Sequence, residues 1–492
     1  MYVRGSRADY DGWESLGNKG WGWDGMAPYF RKHQCYDPNG DVHPDPQFMP
    51  YAAKENHHGS DGPVHTSFND YYEVSLAVLR VYTDKYTDIY ESFEYDFCKA
   101  AYEVGGKPST LVDAWSGDHM GFYSSLAAVN RTTDPGRRSY AATGYLLPNI
   151  SRSNLKVLTE AMATKIVLDG NVATGIEFER DGKRYTVHVS KEVILSSGVI
   201  QSPQLLELSG IGDRKVLEAA GVEPRIDNER VGKNFQDHVL GGVLYDLADG
   251  LTSLDSLHGV EYAKAQEKIY RETHNGPYGS PGMLMGFVSY ASLVDQETLN
   301  RTIAEAREHS VAETEFEKAQ EEIIIKQLSD PTFANIQTFC MIQASHTFNS
   351  QGMLMRTTGI GAQLDVSQGQ SQIEFFSAPP EGKTRASLLV CLEHPLSRGS
   401  VNITSSDPFQ PPSIDTGYLK HPVDTKILAE GIKWMDKVAS RPVLAKSLGD
   451  RILPPKDKSI ETEEERMDYV RGHISTQYHL IGTYVFRALG KG

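Results

Sequence analysis

Residues 198–212 read GVIQSPQLLELSGIG, and this stretch decides the fold. The run that leads into it, VILSSG (193–198), is β-branched at its start and small at its end, which predicts a short buried strand. A helix is expected to begin near Ser202-Pro203, because proline is tolerated at an early helical position. Strand, small-residue turn and helix N-terminus together offer backbone N–H groups to a ligand. Gly198 lets a ligand come close to the backbone at that turn. Immediately upstream, residues 154–192 alternate apolar and polar positions around Gly and Asp-Gly turns, which predicts a series of antiparallel strands.

The bulk properties narrow the class. A chain of 492 residues is too long for one small core and implies two or three domains. Its 39% hydrophobic, 23% charged and 10% aromatic content is that of a globular protein. A net charge of −16 argues against nucleic acid or anionic membrane as partner. Apolar runs all fall short of the roughly 18 residues of a membrane span. The cysteines, Cys35, Cys98, Cys340 and Cys391, are scattered without CxxC spacing, so neither a zinc site nor a disulfide framework is expected. The opening MYVRGSRADYDGW has no apolar core of the signal-peptide kind. Sequons at Asn130, Asn149, Asn300 and Asn402 are about as many as chance supplies, and localisation stays open between secreted and cytoplasmic.

Elsewhere the pattern predicts a short helix from Asp24 as N-cap, then an extended polar loop over 36–70 whose HHGSDGPVH core (57–65) reads as a turn into a strand. In that loop His57-His58 beside Asp61 invites a metal reading, but without a spaced second pair a solvated loop is expected. Helical spacing returns over 71–107, with Val74, Ala77, Val78 and Val81, and a helix over 138–148 is expected to stop at Pro148. A charged helix is expected over 304–328, two strands over 386–404 around Pro-Leu-Ser-Arg-Gly, and a helix over 425–449. Ile427, Leu428, Ile432, Met435 and Val438 form the inner side of that last helix. Neither a G-x-S-x-G elbow followed by Asp and His nor a Walker A loop occurs, so hydrolase and P-loop chemistry lack support.

Several motifs then fall into one order: YVRGSRADYDGWESLGNKGWGWDGMAPYF (2–30), RRSYAATGYLLP (137–148), GVIQSPQLLELSGIG, VGKNFQDH (231–238), HPLSRGSV (394–401) and YHLIGT (478–483). The set resembles the glucose–methanol–choline (GMC) oxidoreductases, the fungal aryl-alcohol type in particular. Val199 and Leu480 depart from the usual small residue and proline. The resemblance implies an α/β, Rossmann-like FAD-binding domain plus an α+β substrate domain with an antiparallel sheet. On that basis residues 1–35, 128–240 and 440–492 would belong to the FAD domain, and 36–127 and 241–439 to the substrate domain.

The same resemblance implies FAD as cofactor, a small-molecule alcohol as substrate, and oxygen or a quinone as electron acceptor. It makes His479 the catalytic base, a role suited to imidazole because its pKa lies near working pH. Ala163, Ser197, Gly198, Tyr478, Gly482 and Thr483 are the implied cofactor contacts, whereas Asn234, Asp237, His238, Arg138 and Ser139 read as scaffold. A GxGxxG loop does not occur, and YHLIGT lies close to Gly492, so the chain reads as a family member trimmed at both ends. Without that loop the FAD pyrophosphate would lose its helix N-terminus, and charge-assisted bonds of about 1.5–3 kcal/mol each with it. Two alternatives remain beside alcohol oxidation: a lyase or cyclase on the same fold, and an inactive relative that holds no flavin.

Overall fold

Local caps define where the helices start. Ser6 and Asp9 form a reciprocal capping box for the helix Arg7–Ser15. The next helix, Trp23–His33, has Gly22 rather than Asp24 at its N-cap. Gly22 brings no side-chain acceptor, so the Asp11 carboxylate accepts from the Trp23 N–H at 2.9 Å, and Asp24 falls in the first turn. The computed structural model describes residues 2–38, 57–68, 93–106, 113–249, 251, 256–257, 259–279, 284–341, 346–348, 354–356 and 383–484. These form two compact units: Met1–Pro148, Leu240–His394 and Thr425–Ser475 make the first, and Asn149–Val239, Pro395–Asp424 and Thr476–Gly492 the second.

The first unit is built on a mixed-length sheet whose strands run in the order Leu448–Leu453, Val239–Leu247, Arg385–Leu392, Ile336–Met341, Leu284–Val288 and Gly121–Ser124. The central pairings are antiparallel, Ile336 facing Leu392 and Leu284 facing both Cys340 and Ser124. Strand alternation sends Tyr123, Met285, Phe287, Phe339, Leu389 and Cys391 into one cluster with Phe68, Trp115 and Leu126. On the opposite face lies the helix Pro422–Ala439, whose Ile427, Leu428, Ile432, Met435 and Val438 are wholly buried, as the pattern predicts. Gly431 comes against Val390, and Trp434 stacks on Phe122 with ring centroids 5.6 Å apart. Midway along this helix the Arg466 guanidinium meets Glu430 at 3.0 Å with both side chains buried.

Three expectations in this unit are corrected. The single charged helix over 304–328 is two helices, Gln296–Glu308 and Glu315–Leu328, because Thr314 and Glu317 form a capping box that restarts the chain. Residues 138–148 hold a π turn, Ala142–Leu146, and a short 3-10 turn, Leu147–Asn149, with Pro148 inside the closing turn. The HHGSDGPVH core of the 36–70 stretch does turn into a strand, as expected: Val64–Phe68, parallel to Gln34–Tyr36. In the same stretch the His58 side chain is buried instead of solvated: its Nε2 meets Asp113 at 3.1 Å and its Nδ1 accepts from Gln34 Nε2 at 3.1 Å. A helix Phe93–Gly105 lies within 71–107, while Val74, Ala77, Val78 and Val81 lie outside the described residues. No disulfide joins any of the four cysteines.

The second unit opens with the expected meander, strands Met162–Asp169, Val172–Arg180 and Lys183–His188 paired in sequence. The helix Gly198–Leu208 packs on it, and Ser209 Oγ fastens the two by accepting from Ile166 N at 2.8 Å. Residues 193–197, expected to be a buried strand, form none, and Ile194 is 78% exposed. A strand needs a ladder partner, and among the described residues none pairs with this run. The helix also starts at Gly198, ahead of the Ser202-Pro203 pair, so Pro203 lies inside it. Proline has no N–H to return to the carbonyl four residues back, which here is Val199. The Thr483 hydroxyl donates to that carbonyl at 2.6 Å instead.

Candidate functional site

The implied base and the implied cofactor contacts lie in the second unit, most of them in two groups, whereas Arg138 and Ser139 lie in the first. The first is the segment 476–483 and the turn 234–238 that holds it. Phe235 and Gln236 bond into Gly399 and Ile481, the Gln236–Ile481 bridge closing through two bonds of 2.9 Å. Asn234 takes the left-handed conformation at φ 63° and accepts from Arg398 Nε at 2.9 Å. Gly482 must be glycine: it sits at φ 97°, and an added Cβ would lie 2.2 Å from the Asn234 carbonyl oxygen.

The buried carboxylate of Asp237 organises the segment. It accepts from the hydroxyls of Tyr418 and Thr476, and from the His479 backbone N–H at 3.1 Å. Burial, together with the Asp237 charge it is bonded to, pushes the Tyr418 phenol well above its ordinary pKa, so it stays a donor. Tyr478 is held at φ 62°, a strained position for a large side chain, and the residue is 65% exposed. His479 follows it on the exposed rim, and its Nδ1 lies 3.0 Å from Nδ1 of His238. Two Nδ1 atoms at that distance share one proton, so one ring donates and the other accepts. If His479 is the donor, its Nε2 carries the lone pair that a base requires.

The second group lines an open cleft of about 460 Å³ at the N-terminus of the Gly198–Leu208 helix. Ser197, Gly198 and Val199 form its floor, Met162 one side, and the run Pro408–Pro412 the other. Gln204 fixes that wall by donating to the Gln410 carbonyl at 3.0 Å. Ser197 makes no side-chain cap, which leaves the first-turn N–H groups facing the cleft. Gly198 is at φ 79°, and a Cβ there would meet nothing within 4 Å. An uncapped helix start beside an open glycine is a cradle for an anionic, extended ligand, so these residues fit part of a dinucleotide. Thr483 joins the two groups through its bond to Val199. Ala163 is on the strand Met162–Asp169, where its neighbour Met162 is the residue that reaches the cleft.

Sequence reasoning passed over the Pro408–Pro412 wall, although the run DPFQPP has the composition of a rigid turn. It also passed over Glu207, a fully buried carboxyl inside the signature helix that accepts from Asn402 Nδ2 at 2.8 Å and Ile403 N at 2.7 Å. Both bonds favour its charged form, but burial dominates and pushes its pKa up to about 7.

Two family models described as GMC oxidoreductase match residues 1–240 and 395–488. A Monascus purpureus protein called dehydrogenase mpl7 is 34% identical over 98% of this chain and 73% of its own length. A Photobacterium profundum oxygen-dependent choline dehydrogenase is 26% identical over 97% of this chain and 66% of its own length. Among solved structures, an FAD-dependent oxidoreductase from Chaetomium thermophilum superposes with a TM-score of 0.78 at 24% identity, covering 98% of this chain and 74% of that one. A fungal aryl-alcohol oxidase gives 0.74 at 22% identity, with the same coverage. Its fold is the GMC fold, an FAD-binding domain with a sheet-containing substrate domain; the family is one of oxidoreductases acting on small molecules, its cofactor is FAD, and this chain belongs to it.

Proposed function

We propose that the protein oxidises a primary or aryl alcohol to the carbonyl compound, acting on a CH–OH group, with oxygen or a quinone as final electron acceptor. His479 is the base in this reading, and the observation that carries it is the double hold on that residue. Asp237 fixes its backbone, and the His238 ring takes up one face of its imidazole chemistry at Nδ1. His479 thereby takes the hydroxyl proton on its other nitrogen while the C–O bond gains double-bond character. FAD, when bound, supplies the acceptor for the carbinol hydride. Ser197 and Gly198 would hold its phosphate-bearing portion at the helix start, and Tyr478, Gly482 and Thr483 would border its ring. Ala163 would contribute backbone from the neighbouring strand. In the same reading, residues 1–35, 128–240 and 440–492 serve the cofactor and 36–127 and 241–439 the substrate.

A flavin absorbance spectrum of the purified chain, followed by alcohol-dependent reduction of an electron-accepting dye, tests this function. A yellow protein that reduces the dye only with alcohol, and loses this in His479→Ala, is the expected result. A stably folded, colourless chain that takes up no added FAD overturns it. A yellow protein inert to alcohols but cleaving a cyanohydrin would point to lyase chemistry on the same fold.

A further inference from the structure

The parallel pairing of Gln34–Tyr36 with Val64–Phe68 sets Cys35 directly beside His65. Strand side chains alternate in direction, so Asp37, two residues beyond Cys35, faces the same way. The ladder continues to that point, the Asp37 N–H donating to the Thr66 carbonyl at 2.8 Å. A thiol, a carboxylate and an imidazole therefore converge on one face. The Cys35 sulfur is 3.7 Å from Asp37 Oδ1, and His65 Nδ1 lies 2.8 and 3.0 Å from the two carboxylate oxygens. All three ligand atoms fall within 4.8 Å of one another.

We propose that Cys35, Asp37 and His65 bind one thiophilic divalent metal ion, zinc being the best fit, with water in the fourth position. A tetrahedral zinc with Zn–S of about 2.3 Å and Zn–N or Zn–O of about 2.0 Å has S···O edges near 3.5 Å and N···O edges near 3.3 Å. The donors already stand within about half an ångström of those edges. The Arg131 backbone N–H holds Asp37 Oδ2 at 2.8 Å, which turns Oδ1 toward the sulfur and imidazole. Burial first, and then the charges of Asp37 and Asp61, disfavour a bare thiolate at Cys35, a cost that a bound cation relieves. Cys35 and His65 are partly exposed, the His65 side chain by 19%, so an ion and its water have a way in. Binding exchanges the S–H bond for an S–metal bond and releases that proton to solvent, while the proton that His65 Nδ1 donates to Asp37 moves to Nε2 so that Nδ1 can ligate. The competing arrangement is a metal-free hydrogen-bond cluster in which the thiol donates to the Ser60 carbonyl at 3.1 Å.

Cobalt(II) titration of the full, chelator-stripped chain separates the two. The expected result is one equivalent bound, a thiolate-to-cobalt charge-transfer band in the near ultraviolet, bleaching of that band by zinc, and release of about one proton per ion. Cys35→Ser keeps a donor for Ser60 and should lose the band, and His65→Phe should weaken binding at least tenfold. Should either variant misfold, alkylation of the wild-type chain decides, since Cys35 is the one thiol of the four that is not fully buried. Zinc should slow iodoacetamide labelling at Cys35, and chelator should restore it. Cobalt binding without a charge-transfer band, or Cys35 labelling unchanged by saturating zinc, overturns the site.

Discussion

Glu207 makes the signature helix a pH-sensitive element, and the size of the effect follows from its surroundings. Its carboxyl is buried within the helix Gly198–Leu208 and titrates near 7 in the folded chain, against an ordinary value of 4.5. Since the folded pKa is the higher one, the folded state binds the proton more tightly than the unfolded state. Its stabilisation is therefore complete below about pH 4.5 and is lost as pH rises through 7. The shift of about 2.5 units is worth roughly 3 kcal/mol at 1.36 kcal/mol per unit, or about 300-fold in an opening constant. Glu207→Gln removes the titration. It also removes an acceptor, because the amide nitrogen cannot take the Ile403 N–H, at a pH-independent cost of about 1–2 kcal/mol.

The readout has to come from the second unit itself. All five tryptophans, Trp13, Trp21, Trp23, Trp115 and Trp434, lie in the first unit, so tryptophan fluorescence is silent here. Hydrogen exchange by mass spectrometry on peptides from 198–208, comparing wild type and Glu207→Gln at each pH, cancels the intrinsic exchange chemistry. The variant should be the less protected at pH 5 and should gain on wild type by up to about two orders of magnitude by pH 8. A protection ratio that stays flat across that range would refute the raised pKa and the burial argument behind it.

Three further outcomes are expected. Thr483→Val withdraws the hydroxyl that satisfies the Val199 carbonyl left open by Pro203, and should cost about 1–3 kcal/mol, read as faster exchange in the first turn of the same helix. Arg466→Ala strands the buried Glu430 carboxylate; Lys433 at 2.8 Å offsets part of the loss, so about 3 kcal/mol is expected from urea unfolding followed by the tryptophan fluorescence of the first unit, and a change under 1 kcal/mol would contradict the pairing. His238→Phe removes the ring that shares a proton with His479 Nδ1, and in the FAD-loaded protein it should move the acidic limb of the kcat/KM profile while leaving the alcohol KM nearly unchanged. An unaltered pH profile with uniformly lower activity would mean that His238 only shapes the turn.

How much of this was legible in the sequence depends on whether a residue's role is set locally. The meander over 162–188 and the inner face of Pro422–Ala439 follow from periods of two and 3.6, and the structure has both where the pattern puts them. The break at Thr314 was legible in principle, since Thr-x-x-Glu is a local signal, but a continuous run of charges concealed it. Residues 193–197 show the opposite case. An apolar run becomes a strand only if another strand completes its ladder, and that partner is a property of the surroundings. Pro203 is the most instructive position. Read locally it marks a helix start, and the helix nevertheless begins at Gly198 because a hydroxyl far along the chain, on Thr483, satisfies the carbonyl that proline cannot. The signature and the YHLIGT segment are thus halves of one hydrogen-bonded device. Neither half declares this alone, which is why the sequence names the residues of the candidate site but not the bond that brings them together.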